Sequence, residues 1–217
     1  VSGDEGQRGG AANGERQDGR ARPRPPAPPD AYRPPHDKPG QIGRRHVHSG
    51  RVVELYVDDV RFPDGSTGQL ETIRHSGAAA VLPLLDDGPD PTIVLLRQFR
   101  YATGGELLEV PAGRPDSADE PWETCAHREL EEETGLRAGR LEYLTGIWTT
   151  PGFTDELIHL FLARDLSPGQ QATDDDEFLE PIRLRLSDAV DRVLSGAITD
   201  SKTIATLLIA AERLRRG

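Results

Sequence analysis

The chain has 217 residues, with 26 Lys and Arg against 37 Asp and Glu, for a formal charge of −11. That length suits one domain of catalytic size with additions, and the acidic balance argues against broad binding to a nucleic-acid backbone. A lone cysteine, Cys125, excludes an internal disulfide framework and a cysteine-rich zinc site. No run approaches the length of a membrane-spanning helix, and the first residues lack the apolar stretch of a secretory signal. The expected compartment is the cytoplasm. A nucleotide substrate stays open, because a divalent cation can bridge carboxylates and phosphates.

Charge is unevenly spread along the chain. Residues 1–50 carry nine basic and six acidic side chains, whereas 51–217 carry 17 and 31. Eight prolines fall between Arg22 and Gly40, and Tyr32 is the one aromatic of this stretch. Such a segment buries too little apolar surface to offset ordering entropy, so residues 1–45 are expected to form a disordered Pro/Arg-rich tail. Residues 46–75 are expected to form N-terminal strands, and 76–217 the main domain.

Arg51–Val60 reads as a strand, Asp64–Gly65 as a turn, and Gln69–Ile73 as the returning strand. Val53, Leu55 and Val57 make one side of this hairpin apolar, which points to packing on the body or on a second copy. Gly77–Leu85 and Thr92–Phe99 are continuous apolar strands around a turn rich in Gly and Pro. Leu107–Val110 is a short strand closed by Pro111-Ala112-Gly113. Pro121 suits the first position of a helix that stops at Gly135. Leu141–Thr149, Leu157–Arg164 and Phe178–Leu186 read as strands. Helices over Ser187–Ser195, capped by Ser187, and about 201–215 complete an α+β pattern.

The helix after Pro121 carries the chemistry. Glu129 and Glu133 are four residues apart and share a face; Glu132 borders it, and Glu131 points away. Like charges at this spacing repel, so the helix holds them best around a hard divalent cation, which prefers oxygen ligands. A solvated acidic face is the plainer alternative. Arg128 is placed to orient the carboxylates through a bidentate pair. Cys125 lacks a paired histidine, and neither G-x-S-x-G nor H-E-x-x-H occurs, which argues against a nucleophilic or zinc-protease mechanism.

The run from Gly113 through Glu120 and Arg128-Glu129-Leu130-Glu131-Glu132-Glu133-Thr134-Gly135-Leu136 resembles the signature of the Nudix hydrolases, G-x5-E-x7-R-E-U-x-E-E-x-G-U. Glu120 to Leu136 match in type and spacing. Six residues, rather than five, separate Gly113 from Glu120. The resemblance implies a Nudix fold, with mixed sheets sandwiched by helices (α/β/α) and the N-terminal hairpin as an extension. It implies Glu129, Glu132, Glu133 and the backbone oxygen of Ala112 as ligands of Mg²⁺, with Mn²⁺ as the alternative, and Glu120 as a support of the loop and helix.

Two further stretches resemble the ADP-ribose pyrophosphatase branch. Arg97-Gln98-Phe99-Arg100 precedes Glu106-Leu107-Leu108-Glu109-Val110-Pro111-Ala112-Gly113, and Pro151 stands fifteen residues after Leu136. The implied substrate contacts are Arg100, suited to a phosphate oxygen, with Glu106, Pro151 and Phe153. Phe153 is open between stacking on adenine and anchoring its loop. The acidic loop Asp174–Glu177 resembles the branch's catalytic loop; Glu177 is the first choice, with Asp175 and Asp176 as alternatives. Glu177, Glu132 and Arg128 form the implied catalytic set. The implied reaction is metal-dependent hydrolysis of ADP-ribose to AMP and ribose 5-phosphate in a homodimer that pairs through its N-terminal strands. Other nucleotide sugars, a triphosphate-sanitising enzyme and a non-catalytic Nudix sensor are the alternatives. No stable nucleic-acid or membrane partner is expected.

Overall fold

The computed structural model describes residues 37–172 and 179–216. Ten strands and three helices follow in the order β1 (Gln41–Ser49), β2 (Val53–Arg61), β3 (Thr67–His75), β4 (Ala78–Pro83), β5 (Thr92–Arg100), β6 (Gly105–Glu109), β7 (Ala112–Gly113), α1 (Trp122–Thr134), β8 (Leu136–Trp148), β9 (Leu157–Pro168), β10 (Leu179–Arg185), α2 (Leu186–Leu194) and α3 (Ser201–Arg216). None of the described helices is long and apolar enough to cross a membrane.

The strands form a mixed sheet, β7-β4-β9-β8, and two antiparallel sheets, β10-β5-β6 and β1-β2-β3. In the mixed sheet β4 and β9 run parallel, and both are buried along the paired segment. Side chains alternate across a strand, so β4 feeds two cores. Ala80 and Leu82 join Ile93, Leu95, Leu160 and Leu207 on one side. Ala79 and Val81 join Trp122, Cys125, Ala126, Leu130 and Phe161 on the other, under α1. The sheet between these two cores places α1 on one side and α2 with α3 on the other, the layered α+β arrangement expected. Ala79 in β4 and Ala126 in α1 are fully buried, small side chains that bring the two elements close.

The N-terminal sheet differs from the expected hairpin. Strands β2 and β3 pair as foreseen around Gly65, whose φ of 85° favours a residue without Cβ. A third strand, β1, flanks them from Gln41, inside the stretch assigned by composition to the tail. Its polar sequence, Arg44-Arg45-His46, hides a strong reason for order. Arg44 donates through Nε and Nη2 to Asp58, at 2.6 and 2.8 Å, and Asp58 is buried. Thr72 on β3 donates to the same carboxylate at 3.0 Å, so one acid ties all three strands. Ile73 docks the sheet on the body: its N–H donates to the Phe153 carbonyl at 2.7 Å and its carbonyl accepts the Asp155 N–H at 3.2 Å.

Three boundaries also shift. Pro121 precedes the helix in an extended conformation, with ψ 141°, so α1 begins at Trp122. Strand β8 starts at Leu136, immediately after Gly135 ends α1 with φ 68°. Ser187 is not the cap of α2 but lies in its first turn, where Asp90 accepts its N–H and its hydroxyl, each at 2.9 Å.

Candidate active site

A cleft of about 1180 Å³ lies between the acidic helix, the N-terminal sheet and the start of α3. Glu129 and Glu132 face it from α1, with Ala112 and Gly113 beside them. Glu133 is buried next to this wall, and its Oε2 accepts the Ala112 N–H at 2.9 Å. The glycine at 113 is required here, because a Cβ at that position would overlap the Glu129 carboxylate. The donor set is all oxygen, as a hard divalent cation requires, and the glycine leaves room at the carboxylate. Among the described residues no group of three or more acids, histidines and cysteines already encloses a cation position.

Arg128 organises the acids. Its Nη1 donates to Glu129 at 2.8 Å and to Glu132 at 2.9 Å, and its Nε donates to Glu120 at 3.2 Å. Its Nη2 donates to the Arg114 carbonyl at 2.8 Å. Glu120 in turn accepts the Asp116 N–H at 2.7 Å, so both residues close the loop before the helix. Burial works to raise the Glu120 carboxyl, but the Arg128 bond and the Asp116 N–H hold it below its ordinary value. Beneath the helix, burial and then the Glu129 charge push the Cys125 thiol up to about 12, so it stays protonated.

A second wall is rich in cations, with Asp155 and Glu156 among them. Arg51, Arg74, Arg100 and Lys202 reach the cleft from β1–β2, β3, β5 and α3. His75 lies between the walls; burial lowers its affinity for a proton against the pull of Glu156, 3.4 Å away. Its Nδ1 accepts the Gly77 N–H at 3.1 Å, which fixes the ring.

Known proteins resemble this chain in sequence and in fold. The model of the NUDIX domain matches residues 74–207, more than half of the chain. The chain belongs to the Nudix family. An ADP-ribose pyrophosphatase of Bacillus subtilis (strain 168) is 42% identical over 164 residues, which cover 75% of this chain and 86% of that protein. A methanol dehydrogenase activator of Bacillus methanolicus is 41% identical over 165 residues, covering 75% and 87%. A solved structure titled as an ADP compounds hydrolase superposes with a TM-score of 0.71 at 23% identity, covering 83% of this chain and 96% of that one; it speaks for the fold alone. This chain is therefore a Nudix hydrolase related to the ADP-ribose pyrophosphatase branch.

In this Nudix hydrolase the residues singled out in the sequence fall into four groups. Glu129, Glu132, Arg128 and Ala112 come together on the cleft, with Glu133 directly behind Ala112. Arg100 also lines it, but its Nε and Nη2 are held by Glu109, each at 2.8 Å. Glu106 stands outside the cleft on β6, exposed, with Arg97 3.9 Å away. Pro151 is exposed on the loop between β8 and β9, and Phe153 borders a smaller adjoining cavity of about 420 Å³. Phe153 is half exposed, and its carbonyl accepts the Ile73 N–H of β3. Glu177, with Asp174, Asp175 and Asp176, lies outside the described residues. The segment before it is fastened to the end of α1: the Glu132 carbonyl accepts the Ala172 N–H at 2.9 Å, and the Glu133 carbonyl accepts Nε2 of Gln171 at 2.9 Å.

Sequence reasoning passed over Arg51, Arg74, Gln98, Glu109 and Lys202. They come from the β1–β2 turn, β3, β5, β6 and α3, so no local spacing joins them. The usable signals were a pre-PAG glutamate at Glu109 and a lysine, Lys202, in the first turn of a helix, where a cation opposes the helix dipole.

Proposed function

We propose that this Nudix hydrolase cleaves the pyrophosphate of ADP-ribose to AMP and ribose 5-phosphate with Mg²⁺, Mn²⁺ being the alternative metal. The observation that carries the reading is one cleft with carboxylates on one wall, Glu129 and Glu132, and cations on the other, Arg51, Arg74, Arg100 and Lys202. A nucleoside diphosphate needs both, since its phosphates take cations directly and carboxylates only through a metal. The relatives named ADP-ribose pyrophosphatase, from Bacillus subtilis and at 35% identity from Mycobacterium tuberculosis, support this choice of substrate.

Glu129, Glu132, Glu133 and the Ala112 carbonyl would hold the metal. Bound there, a divalent cation supplies charge neutralisation at the pyrophosphate and lowers the pKa of a water. Arg128 keeps Glu129 and Glu132 oriented without occupying every oxygen they carry. Glu177, or a box glutamate such as Glu132, accepts or orients the water's proton. Arg100 binds a phosphate oxygen at the cleft mouth, and Phe153 and Pro151 border the far end of the substrate. Glu106 enters only if a second copy brings it to the substrate. The exposed Ile42, Val47 and Leu70 of the N-terminal sheet support the homodimer. The lone thiol suits a cytoplasmic setting.

One further substrate has specific support. GDP-mannose pyrophosphatases of Escherichia coli are 38% identical over 153 residues. A panel of ADP-ribose, ADP-glucose, GDP-mannose and nucleoside triphosphates with Mg²⁺, read by nucleotide-monophosphate release, tests the choice. The expected result is a kcat/KM for ADP-ribose at least about tenfold above the rest. GDP-mannose as the best substrate would replace the proposal, and no turnover of any would favour a sensor.

A further inference from the structure

In the basic wall Arg100 and Lys202 share one buried acid, and a second acid, Asp200, stands 3.1 Å from Nζ of Lys202. Glu109, at the end of β6, is only 1% exposed. Its Oε1 accepts Nε of Arg100 and its Oε2 accepts Nη2 of Arg100, each at 2.8 Å, and Oε2 also accepts Nζ of Lys202. Lys202 is 8% exposed and sits second in α3, where burial and the helix dipole both disfavour a positive charge. A position that breaks two local rules calls for a compensating gain.

Fastening α3 to β6 is not that gain. Asp200 already accepts the Thr203 N–H at 2.9 Å and the Thr203 hydroxyl at 2.6 Å. Thr203 Oγ1 accepts the Val110 N–H at 2.9 Å, so a network built on the Asp200 carboxylate joins the helix start to the residue after β6. Lys202 touches this join through Asp200, but it and Arg100 also line the large cleft with Glu129 and Glu132, a placement the join alone does not require. Lys202 also borders the smaller cavity, which places it where the two spaces meet. Burial works to raise the Glu109 carboxyl, and the bonds from Arg100 and Lys202 outweigh it and keep the acid ionised.

We infer that Glu109 is a positioning residue, acting on the substrate through Arg100 and Lys202, and that Lys202 is an added anion-binding residue of the cleft for a nucleoside diphosphate. Fixed by Glu109, with Asp200 also on Lys202, the two cations present a preorganised surface to the phosphates, so little ordering is left for binding. The inference rests on the proposed nucleotide-pyrophosphate reading, and its test is separable from it.

The test uses the full chain and ADP as the probe. Calorimetric Kd for ADP and melting temperature are measured for the wild type, Glu109→Gln, Lys202→Met and Thr203→Val. Kinetics on ADP-ribose run alongside. Glu109→Gln and Lys202→Met should each weaken ADP by about tenfold or more, as loss of a charge-assisted contact does, and raise KM with kcat changed far less. Thr203→Val removes the hydroxyl's bonds to Asp200 and Val110 and leaves both acids beside Lys202, so it should lower the melting temperature and leave the ADP Kd within about twofold. Should Glu109→Gln not fold, Lys202→Met decides alone. An ADP Kd near wild type in the folded charge variants, an equal weakening in Thr203→Val, or no ADP binding by the wild type would overturn the inference. A wild type that binds ADP but does not turn over ADP-ribose would sink the proposed function and leave the inference standing on the ADP constants.

Discussion

The two walls of the cleft solve opposite electrostatic problems in different ways. The acidic wall comes from one helix: Glu129, Glu132 and Glu133 lie within five residues, and Arg128, their neighbour in sequence, bridges the first two. The basic wall gathers Arg51, Arg74, Arg100 and Lys202 from distant parts of the chain, and Glu109 steadies two of them from beneath. One cation thus organises the acidic wall, whereas the basic wall draws on several acids: Glu109 for Arg100 and Lys202, Asp200 for Lys202 and Asp155 for Arg74. An organiser inside the same helix makes the acidic wall a local unit, whereas the basic wall exists only once β5, β6 and α3 have docked. Damage to the acidic wall should therefore appear in chemistry, and damage to the basic wall in binding.

The largest expected effect sharpens this contrast. Glu129→Gln and Glu133→Gln should each lower kcat/KM by roughly 10²–10⁴, about 3–5 kcal/mol, because no neutral side chain supplies the lost charge. Melting temperatures should stay within about 4 °C, since glutamine retains a hydrogen-bond acceptor for Arg128 or the Ala112 N–H. A loss confined to KM would break the comparison.

Removing the organiser comes next. Arg128→Ala leaves Glu120, Glu129 and Glu132 facing one another and the Arg114 carbonyl without its donor. Its side chain is about one-fifth exposed, so solvent offsets part of the loss, and about 2–3 kcal/mol is expected from denaturant melts. Arg128→Lys should recover less than half of this, as a point charge cannot reach all four acceptors.

A smaller effect separates the N-terminal sheet from the tail. Deleting residues 1–36 should leave stability and kcat/KM unchanged, whereas deleting 1–45 removes Arg44 and strands the buried Asp58, at a cost of about 1–3 kcal/mol. The bond from Arg44, against burial, holds the Asp58 carboxyl below its ordinary value of 3.8. A depressed folded pKa adds stability above the unfolded value and loses it as pH falls through the folded one. The gap between the two truncations should therefore be full at pH 7 and shrink below about pH 4, as melts at both pH values would report.

The smallest effects are expected away from both walls. Cys125, with its thiol pushed up to about 12, should resist alkylation at pH 8 until the chain unfolds. Rapid labelling of the native protein would show that α1 opens readily from its core.

The legibility of these features follows the same division. Glu129, Glu132 and Glu133 were readable because helical spacing alone puts them on one face, and Gly113 and Gly135 mark the turn and the stop. Strand β4 was readable from its unbroken apolar run. Strand β1 was not, because its order comes from Arg44 meeting Asp58 fourteen residues away, and arginine beside histidine looks like solvated tail. Lys202 and Glu109 were not readable either, since the contact that joins them spans 93 residues. Ser187 was assigned a capping role that Asp90 performs from a distant turn, which no local pattern reveals.

The central claim is that one face of α1 holds the metal that drives hydrolysis. The direct measurement is AMP release from ADP-ribose over a Mg²⁺ titration for the wild type, Glu129→Gln, Glu133→Gln and Glu131→Gln. Glu131 is on the same helix but off that face, bonded to Arg137 at 2.8 Å and to the Gln170 N–H at 3.2 Å. The account predicts wild-type and Glu131→Gln curves that agree within about threefold, with the Glu129 and Glu133 variants lower by roughly 10²-fold or more at saturating metal. Equal, small losses in all three variants would contradict it and leave α1 as a solvated acidic helix.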